Sequence, residues 1–406
     1  MAVPKLRFKE FDGDWTSKQL GKIIGISSAS RVFKEQWQDS GVPFFRTSDV
    51  VSIFKNKENE KAYISLELFE ELAKKSGKIK QGDLLVTGGG SIGIPYLVPN
   101  DQPLYFKDAD LLWMKSSGIV EGSFLYNFFI SPKFREYLKS ISHTGTISHF
   151  TIEQAKATPF GFPSKEEQTK IASFLSAVDE KISQLTQKHE LLSQYKQGMM
   201  QKLFSQQLRF KADDGSEFGA WESRSLGEVG ENIIGLTYSP TDVTNDGSGI
   251  LVLRSSNIKN GRLDKSDQVR VNKKIKDKII VQANDILICT RNGSQRLIGK
   301  SVIINDDEEM TFGAFMSVYR SEYNRFIAYL MQTPWFFEQV QMNLGARINQ
   351  ITTGTLNEFT FDFPCLEEQT KIANFLSTID QKIEVVAQQI EQAKQWKKGL
   401  LQQMFV

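Results

Sequence analysis

The residues that most resemble chemical machinery in this chain form a short inventory. Thr87-Gly88-Gly89-Gly90-Ser91-Ile92-Gly93 has the glycine content of a phosphate-cradling loop, and Gly293 to Gly299-Lys300-Ser301 approaches a P-loop. A P-loop needs four residues between its glycines so that backbone N–H groups converge on the phosphates. Here there are five, and the matching stretch of the first half has no lysine. Of the glycine-rich segment, only Gly90-Ser91 persists in the counterpart Thr290-Arg291-Asn292-Gly293-Ser294, which predicts a shared turn after a strand. The three histidines, His143, His149 and His189, lack metal-ligand spacing. Glu166-Glu167 and Glu367-Glu368 could be offered as acid/base pairs. Both pairs fall in the first turn of a predicted long helix, where carboxylates complement the macrodipole. Cys289 and Cys365 are the only cysteines, too few for a disulfide framework or a thiolate zinc site. The Asn/Asp-Pro-Pro-aromatic motif of a DNA-adenine methyltransferase is absent. These readings predict a non-catalytic chain without cofactor or metal.

What the sequence does offer is recognition chemistry. Arg46, Thr47, Ser48 and Asp49 cluster in one loop, as do Arg254, Ser255, Ser256 and Asn257 in another. Arg291, Asn292 and Arg296 follow, and two late groups comprise Thr144, Thr146, Ser148 and His149, then Arg347, Asn349 and Gln350. Such side chains suit bidentate contacts to guanine or adenine edges and hydrogen bonds to phosphate.

The elements that must position these groups are written twice. Residues 166–182 read EEQTKIASFLSAVDEKI and residues 367–383 read EEQTKIANFLSTIDQKI, four differences in seventeen positions at an offset of 201. Leu6-Arg7-Phe8-Lys9 recurs as Leu208-Arg209-Phe210-Lys211, and W-x4-L-G recurs from Trp15 and Trp221. Asp83-Leu84-Leu85-Val86 parallels Asp285-Ile286-Leu287-Ile288, and Tyr195, Lys196 and Phe204 parallel Trp396, Lys397 and Phe405. The chain is a tandem duplication.

Each copy ends in a long helix. Ile171, Leu175, Val178, Ile182, Leu185, His189 and Leu192 keep a 4-3 spacing that Ile372, Leu376, Ile379, Ile383, Val386, Ile390 and Ala393 repeat. That is a coiled-coil seam. Ser164 with Glu167 predicts a capping box for the first helix, and Cys365 is a poorer cap for the second. The nearest partner for either seam is the other helix of the chain, in an antiparallel pair. Pairing between chains is the alternative. The segments before the helices read as mixed α/β: Asp83 to Val86 and Lys278 to Val281 as strands, Phe124–Tyr137 and Phe326–Val340 as helices broken at Pro132 and Pro334. The predicted domains are 1–162 and 209–362, with helical segments 163–208 and 363–406.

Composition bounds the rest. At 406 residues, 40% hydrophobic and 24% charged, the chain has material for more than one core. Fifty Lys and Arg against 48 Asp and Glu give a net charge of only +2, which does not advertise nucleic acid. No apolar run reaches the roughly 18 residues of a membrane span, and the N-terminus has no signal-peptide core, so a cytoplasmic protein without membrane contact is expected.

The doubled P-x-x-E-E-Q-x-K-I-A-x-F-L-S-x-[VI]-D-x-K-I block, each time opening a long helix, resembles the conserved regions of type I restriction-modification specificity subunits. The resemblance covers essentially the whole chain. It implies two target recognition domains of α/β (α+β mixed) fold, tandemly duplicated and joined by two helices in an antiparallel coiled coil. Each domain would read one half, three to five base pairs by family analogy, of a bipartite double-stranded DNA target, while the helices set the half-site spacing. Two modification (methyltransferase) subunits would dock there, carrying S-adenosylmethionine, and restriction (translocase/endonuclease) subunits would join them. The resemblance assigns no individual base-reading residue. A structural adaptor with two protein-binding domains on a coiled-coil strut, and a silent or recombining copy, are the rival expectations.

Overall fold

A computed structural model describes residues 3–116, 118–141, 149–344 and 349–406. The first half runs β1 (Thr16–Gln19), β2 (Gly25–Ser27), β3 (Val42–Phe45), α1 (Thr47–Phe54), β4 (Ala62–Ile64) and α2 (Leu66–Ser76). It continues with β5 (Leu84–Thr87), β6 (Pro95–Leu97), β7 (Tyr105–Phe106), β8 (Leu111–Lys115), α3 (Gly122–Ile130) and α4 (Pro132–Ser140). It closes with α5 (Ile152–Ala157), β9 (Pro159–Phe162) and the long α6 (Lys165–Phe204). The second half runs β10 (Glu222–Ser225), α7 (Leu226–Val229), β11 (Glu231–Ile234), β12 (Val243–Thr244), β13 (Ile250–Leu253), β14 (Ile258–Lys259) and β15 (Arg262–Leu263). Next come β16 (Arg270–Val271), β17 (Ile286–Cys289), β18 (Ser301–Ile303), β19 (Met310–Phe312) and β20 (Met316–Arg320). It ends with α8 (Asn324–Leu330), α9 (Pro334–Met342), α10 (Thr353–Glu358), β21 (Thr360–Phe363) and α11 (Leu366–Met404).

The chain divides into two compact units, Met1–Gln187 with Ala387–Val406 and Lys188–Val386. The division falls inside both long helices, so each unit holds the start of one and the end of the other.

The two units share one sheet plan. In unit 1 the order β2-β8-β5-β6 forms an antiparallel sheet; unit 2 repeats it as β11-β20-β17-β18. The central strands β5 and β17 are buried along their whole length, which is why they read as continuous apolar runs. A second sheet, β4-β3-β7 in unit 1 and β12-β16-β13-β19 in unit 2, has a parallel pair in each (β3 with β7, β13 with β19). The copies part after that parallel pair's first strand. Unit 1 inserts α1 and α2, whereas unit 2 has two 3-10 turns, Ser255–Asn257 and Asp277–Ile279, and the small hairpin β14-β15.

Two sequence expectations change here. Lys278 to Val281 is no strand: Asp277–Ile279 is a 3-10 turn whose backbone bonds close locally, and Val281 keeps one bond to Met310 O, 2.9 Å. The run is too short to pair once the turn has taken its first residues. The persistent glycine after the central strand is also not Gly90/Gly293. Gly93 N donates to Thr87 O and Gly299 N to Cys289 O, so Gly93 and Gly299 are equivalent. Both have positive φ, 69° and 82°, and a Cβ there would strike Leu138 and Val340 respectively. Unit 2 has inserted residues before that glycine, which include a 3-10 turn, Gln295–Leu297.

The helices pair with each other inside each unit, antiparallel. In unit 1, Leu400, Leu401, Met404 and Phe405 at the end of α11 enter one core with Trp15, Phe124, Ile171 and Leu175. In unit 2, Met200 and Leu203 at the end of α6 enter one with Leu226, Phe326, Ile372 and Leu376. Phe124 meets Phe405 at 5.0 Å between ring centroids, and Phe204 meets Phe326 at 5.2 Å. Among the seam positions, Ile171, Leu175, Val178, Leu185, Ile372, Leu376, Ile379, Ile383, Val386 and Ile390 are buried, and Ile182, His189 and Leu192 half-buried. The repeated aspartate of the block has a cross-helix partner: Lys397 Nζ lies 2.6 Å from Asp179 Oδ1, and Lys196 Nζ lies 2.7 Å from Asp380 Oδ1.

The second glutamate of each E-E-Q does more than face a helix dipole. Glu167, 1% exposed, accepts from Arg7 Nε at 2.8 Å, Arg7 NH2 at 2.7 Å and the Trp15 indole at 3.4 Å. Glu368, 0% exposed, accepts from Arg209 at 3.0 and 2.7 Å and from the Trp221 indole at 3.1 Å. The predicted capping box is therefore half formed: Ser164 Oγ accepts from Glu167 N, but the Glu167 carboxylate is turned to Arg7. Removing one partner of a buried charge pair strands the other. Glu167→Ala is predicted to lower unfolding stability by about 2–4 kcal/mol. Hydrogen exchange would show the loss concentrated in unit 1, with β17 and β20 of unit 2 protected as before.

Candidate nucleic-acid interface

The candidate residues of unit 1 surround the turn after β5. Arg46 follows β3 as the N-cap of α1, and its N and Nε donate to Asp49 Oδ2, both at 2.8 Å, while Nη2 donates to Asp49 Oδ1 at 3.1 Å and to Glu60 O. Asp49 is buried and also accepts from Asn59 Nδ2. The hydrogen bonds to Asp49 push the Arg46 guanidinium further above its ordinary range. Thr47 Oγ1 donates to Asp110 O at 3.4 Å, Ser48 is exposed, and exposed His149 bridges to Gly89. Arg46 is thus a frame residue: its Nε and Nη2 donors already have acceptors within the loop.

Unit 2 gathers more of its candidates. A cleft of about 1280 Å3 is walled by Arg254, Ser255, Arg291, Asn292, Phe315 and Asn349, among others. Arg254 NH2 donates to Asp267 Oδ2 at 2.7 Å. Asn292 Nδ2 donates to Ser255 Oγ at 3.0 Å, and Asn349 Nδ2 to Gly293 O at 3.1 Å. Arg291 bridges backbone to backbone with Gln350, and its guanidinium lies over the Phe315 ring, 4.8 Å from the centroid. Arg296 is exposed on the 3-10 turn and is not part of the cleft wall.

Asn257 changes role as Arg46 does. It is 0% exposed; its Oδ1 accepts from Arg254 N, and its Nδ2 donates to the carbonyls of Asp264 and Asp267, each at 2.8 Å. All its hydrogen-bonding groups hold the loop, so it has none for a base. Asp264 in that loop is drawn down to about 2 by Ser266, with help from Lys259. Thr144, Thr146, Ser148 and Arg347 lie outside the described residues.

Sequence reasoning missed Phe315 and Asp267. Neither has a counterpart in the repeated frame, and an aromatic between two strands carries no signal of its own. Asp179 and Asp380 had a signal, since both persist in the repeated block as the one acidic residue beside the seam. Among the described residues no group of His, Cys, Asp and Glu could hold a metal, and no helix is long and apolar enough to cross a membrane.

Two copies of one mixed α/β unit, each completed by the other copy's helix, form a specific architecture. The chain belongs to the type I restriction modification DNA specificity domain family, whose model matches residues 12–194 and 219–395. A putative type I restriction enzyme specificity subunit, MjaX, of Methanocaldococcus jannaschii is 25% identical over 98% of this chain and 94% of its own length. The putative S.HindORF215P subunit of Haemophilus influenzae is 28% identical over 42% of this chain, and the EcoKI specificity subunit of Escherichia coli K12 is 29% identical over 43%. Those two alignments span only 41% and 39% of the relatives' lengths. The fold is that of the type I restriction-modification S subunit from M. genitalium, with TM-score 0.59 at 16% identity over 100% of this chain and 99% of that one. A chain from a structure of type I R-M assembly matches with TM-score 0.61 at 17% identity, covering 97% of both.

Burial separates the two thiols of the chain. Cys289 is 1% exposed, and burial pushes its thiol up to about 11, whereas Cys365 is exposed. A thiol reagent needs an accessible thiolate. Native protein at pH 8 is predicted to take up one equivalent of iodoacetamide, at Cys365, with Cys289 modified only after unfolding; peptide mass spectrometry reads both sites.

Proposed function

We propose that this chain is the DNA sequence-specificity subunit of a type I restriction-modification complex. Each unit reads one half of a bipartite double-stranded target, and the helix pair sets the half-site spacing and docks two modification (methyltransferase) subunits. Adenine methylation with S-adenosylmethionine then belongs to those subunits, and cleavage to restriction subunits that join them in the cytoplasm. The chain itself does no chemistry; it decides where the chemistry falls.

One observation carries this reading. The duplication retains the frame and changes the loops: sheet order, the Glu–Arg–Trp joint and the Lys–Asp cross-pair recur, while Gly88-Gly89-Gly90 is replaced by Thr290-Arg291-Asn292 at the corresponding turn. A frame repeated with different side chains in the same place is what reading two different half-sites on one scaffold requires. Family membership supports the same conclusion.

Replacing residues 209–362 with another recognition domain of the family is predicted to change one half-site and leave the other intact, as read by methylome sequencing of the host. Loss of both half-sites in an assembled complex would refute modular reading. Matched one-turn insertions near Leu185 and Val386 lengthen each helix by about 6 Å at 1.5 Å per residue. Methylome sequencing should then report the same two half-sites at a changed separation. An unchanged separation in an assembled complex would show that the helices are not the ruler.

A further inference from the structure

The polar side chains around the cleft of unit 2 are not equally available to a ligand. Arg254 is paired with Asp267, Asn292 with Ser255, and Asn349 with the Gly293 carbonyl, while Asn257 is buried and fully engaged. Arg291 is different. Among the described residues its guanidinium has no hydrogen bond or ion pair; its one partner is the ring of Phe315. Phe315 is itself 57% exposed, unlike Phe312, Phe326 and Phe336, which are buried in the core of this unit.

The backbone beneath this stack is fixed. Arg291 N donates to Phe315 O at 3.0 Å, Asn292 N to Asn349 O at 3.3 Å, and Arg291 forms a bridge with Gln350. The ring therefore holds a flexible side chain without occupying its donors, because a stacked guanidinium keeps its N–H groups in its own plane and free. Such a fork matches the adjacent O6 and N7 acceptors of guanine. It is mismatched with adenine, whose N6 amino group would place donor against donor.

Resting on the DNA-reading function above, we propose that Arg291 is a base-reading residue of unit 2, directed at a guanine edge, and that Phe315 is its positioning residue. At the corresponding turn unit 1 has no arginine: Gly88-Gly89-Gly90 presents bare backbone there, and Arg46 is tied to Asp49.

The test uses the full chain, co-expressed and purified with its modification subunits. The complex selects from a pool of short duplexes of randomised sequence at fixed salt, and the bound fraction is sequenced. The wild-type complex is expected to enrich a two-part motif. Both Arg291→Ala and Arg291→Lys should erase the preference at one G·C position of one half-site, a loss of roughly five- to 150-fold in discrimination, with every other position unchanged. Phe315→Ala should weaken that same position, and Phe315→Tyr should restore it. A contact to phosphate gives the opposite pattern: Arg291→Ala lowers binding equally on all sequences with a salt slope shallower by about one, and Arg291→Lys behaves as wild type. That result, or an unaltered motif in Arg291→Ala, overturns the assignment while leaving DNA reading in place. Absence of any motif in the wild-type selection overturns the DNA-reading function itself, and this proposal with it.

Discussion

A buried carboxylate at the first turn of each long helix is the joint on which both units depend. Glu167 and Glu368 are removed from water, and a bare carboxylate there would be costly. Each sits in the first turn of a helix and is satisfied by two groups at once: an arginine from the segment before the unit's first strand, and an indole N–H. The requirement explains why three stretches far apart in sequence persist together in both copies. Arg7 and Arg209 supply the counter-charge, Trp15 and Trp221 the last donor, and the E-E-Q block the acceptor. Phe8 and Phe210, next to the arginines, then pack edge-on against Phe174 and Phe375 of the same block, each at 5.6 Å. One ionic joint thereby fixes the angle at which a helix leaves its sheet.

The helices complete what the joint begins. Each unit's aromatic core contains residues from the far end of the other copy's helix, so neither copy fills its core with its own sequence. The cross-pairs Lys397–Asp179 and Lys196–Asp380 add register to this packing. A seam of aliphatic residues alone tolerates sliding by one heptad. A lysine at a seam position that must meet one aspartate does not. In unit 2 the aspartate is further fixed by Tyr329, whose hydroxyl donates to Asp380 Oδ2 at 2.8 Å. Stability and alignment come from different residues of the same helix.

The sequence revealed the repeat, the long helices and their seam because those features rest on period and spacing, which survive substitution. It did not reveal the β3–β7 and β13–β19 parallel pairs, whose partners are short and far apart along the chain. The loops were legible in type and illegible in role. Arg46, Asn257 and Arg291 look alike as candidates, since each is a hydrogen-bonding side chain in a polar segment. What separates them is whether a partner waits nearby: Asp49 for the first, two carbonyls for the second, a ring for the third. Availability is a tertiary property and leaves no trace in composition.

The same distinction shows why net charge is a poor guide to this chain. Counting side chains by sign suggested a chain indifferent to nucleic acid, yet the count treats every arginine as free. Arg7, Arg46, Arg209, Arg254 and Arg320 each hold an internal carboxylate, so their charge is consumed in building the frame. A specificity subunit does not need a strongly basic face if other subunits neutralise the phosphates, because phosphate contacts bring affinity without sequence information. It needs a small number of donors held rigidly and left unpaired. A frame that pairs its own charges internally, and keeps an arginine on an aromatic ring rather than on an acid, meets that requirement with a net charge of +2.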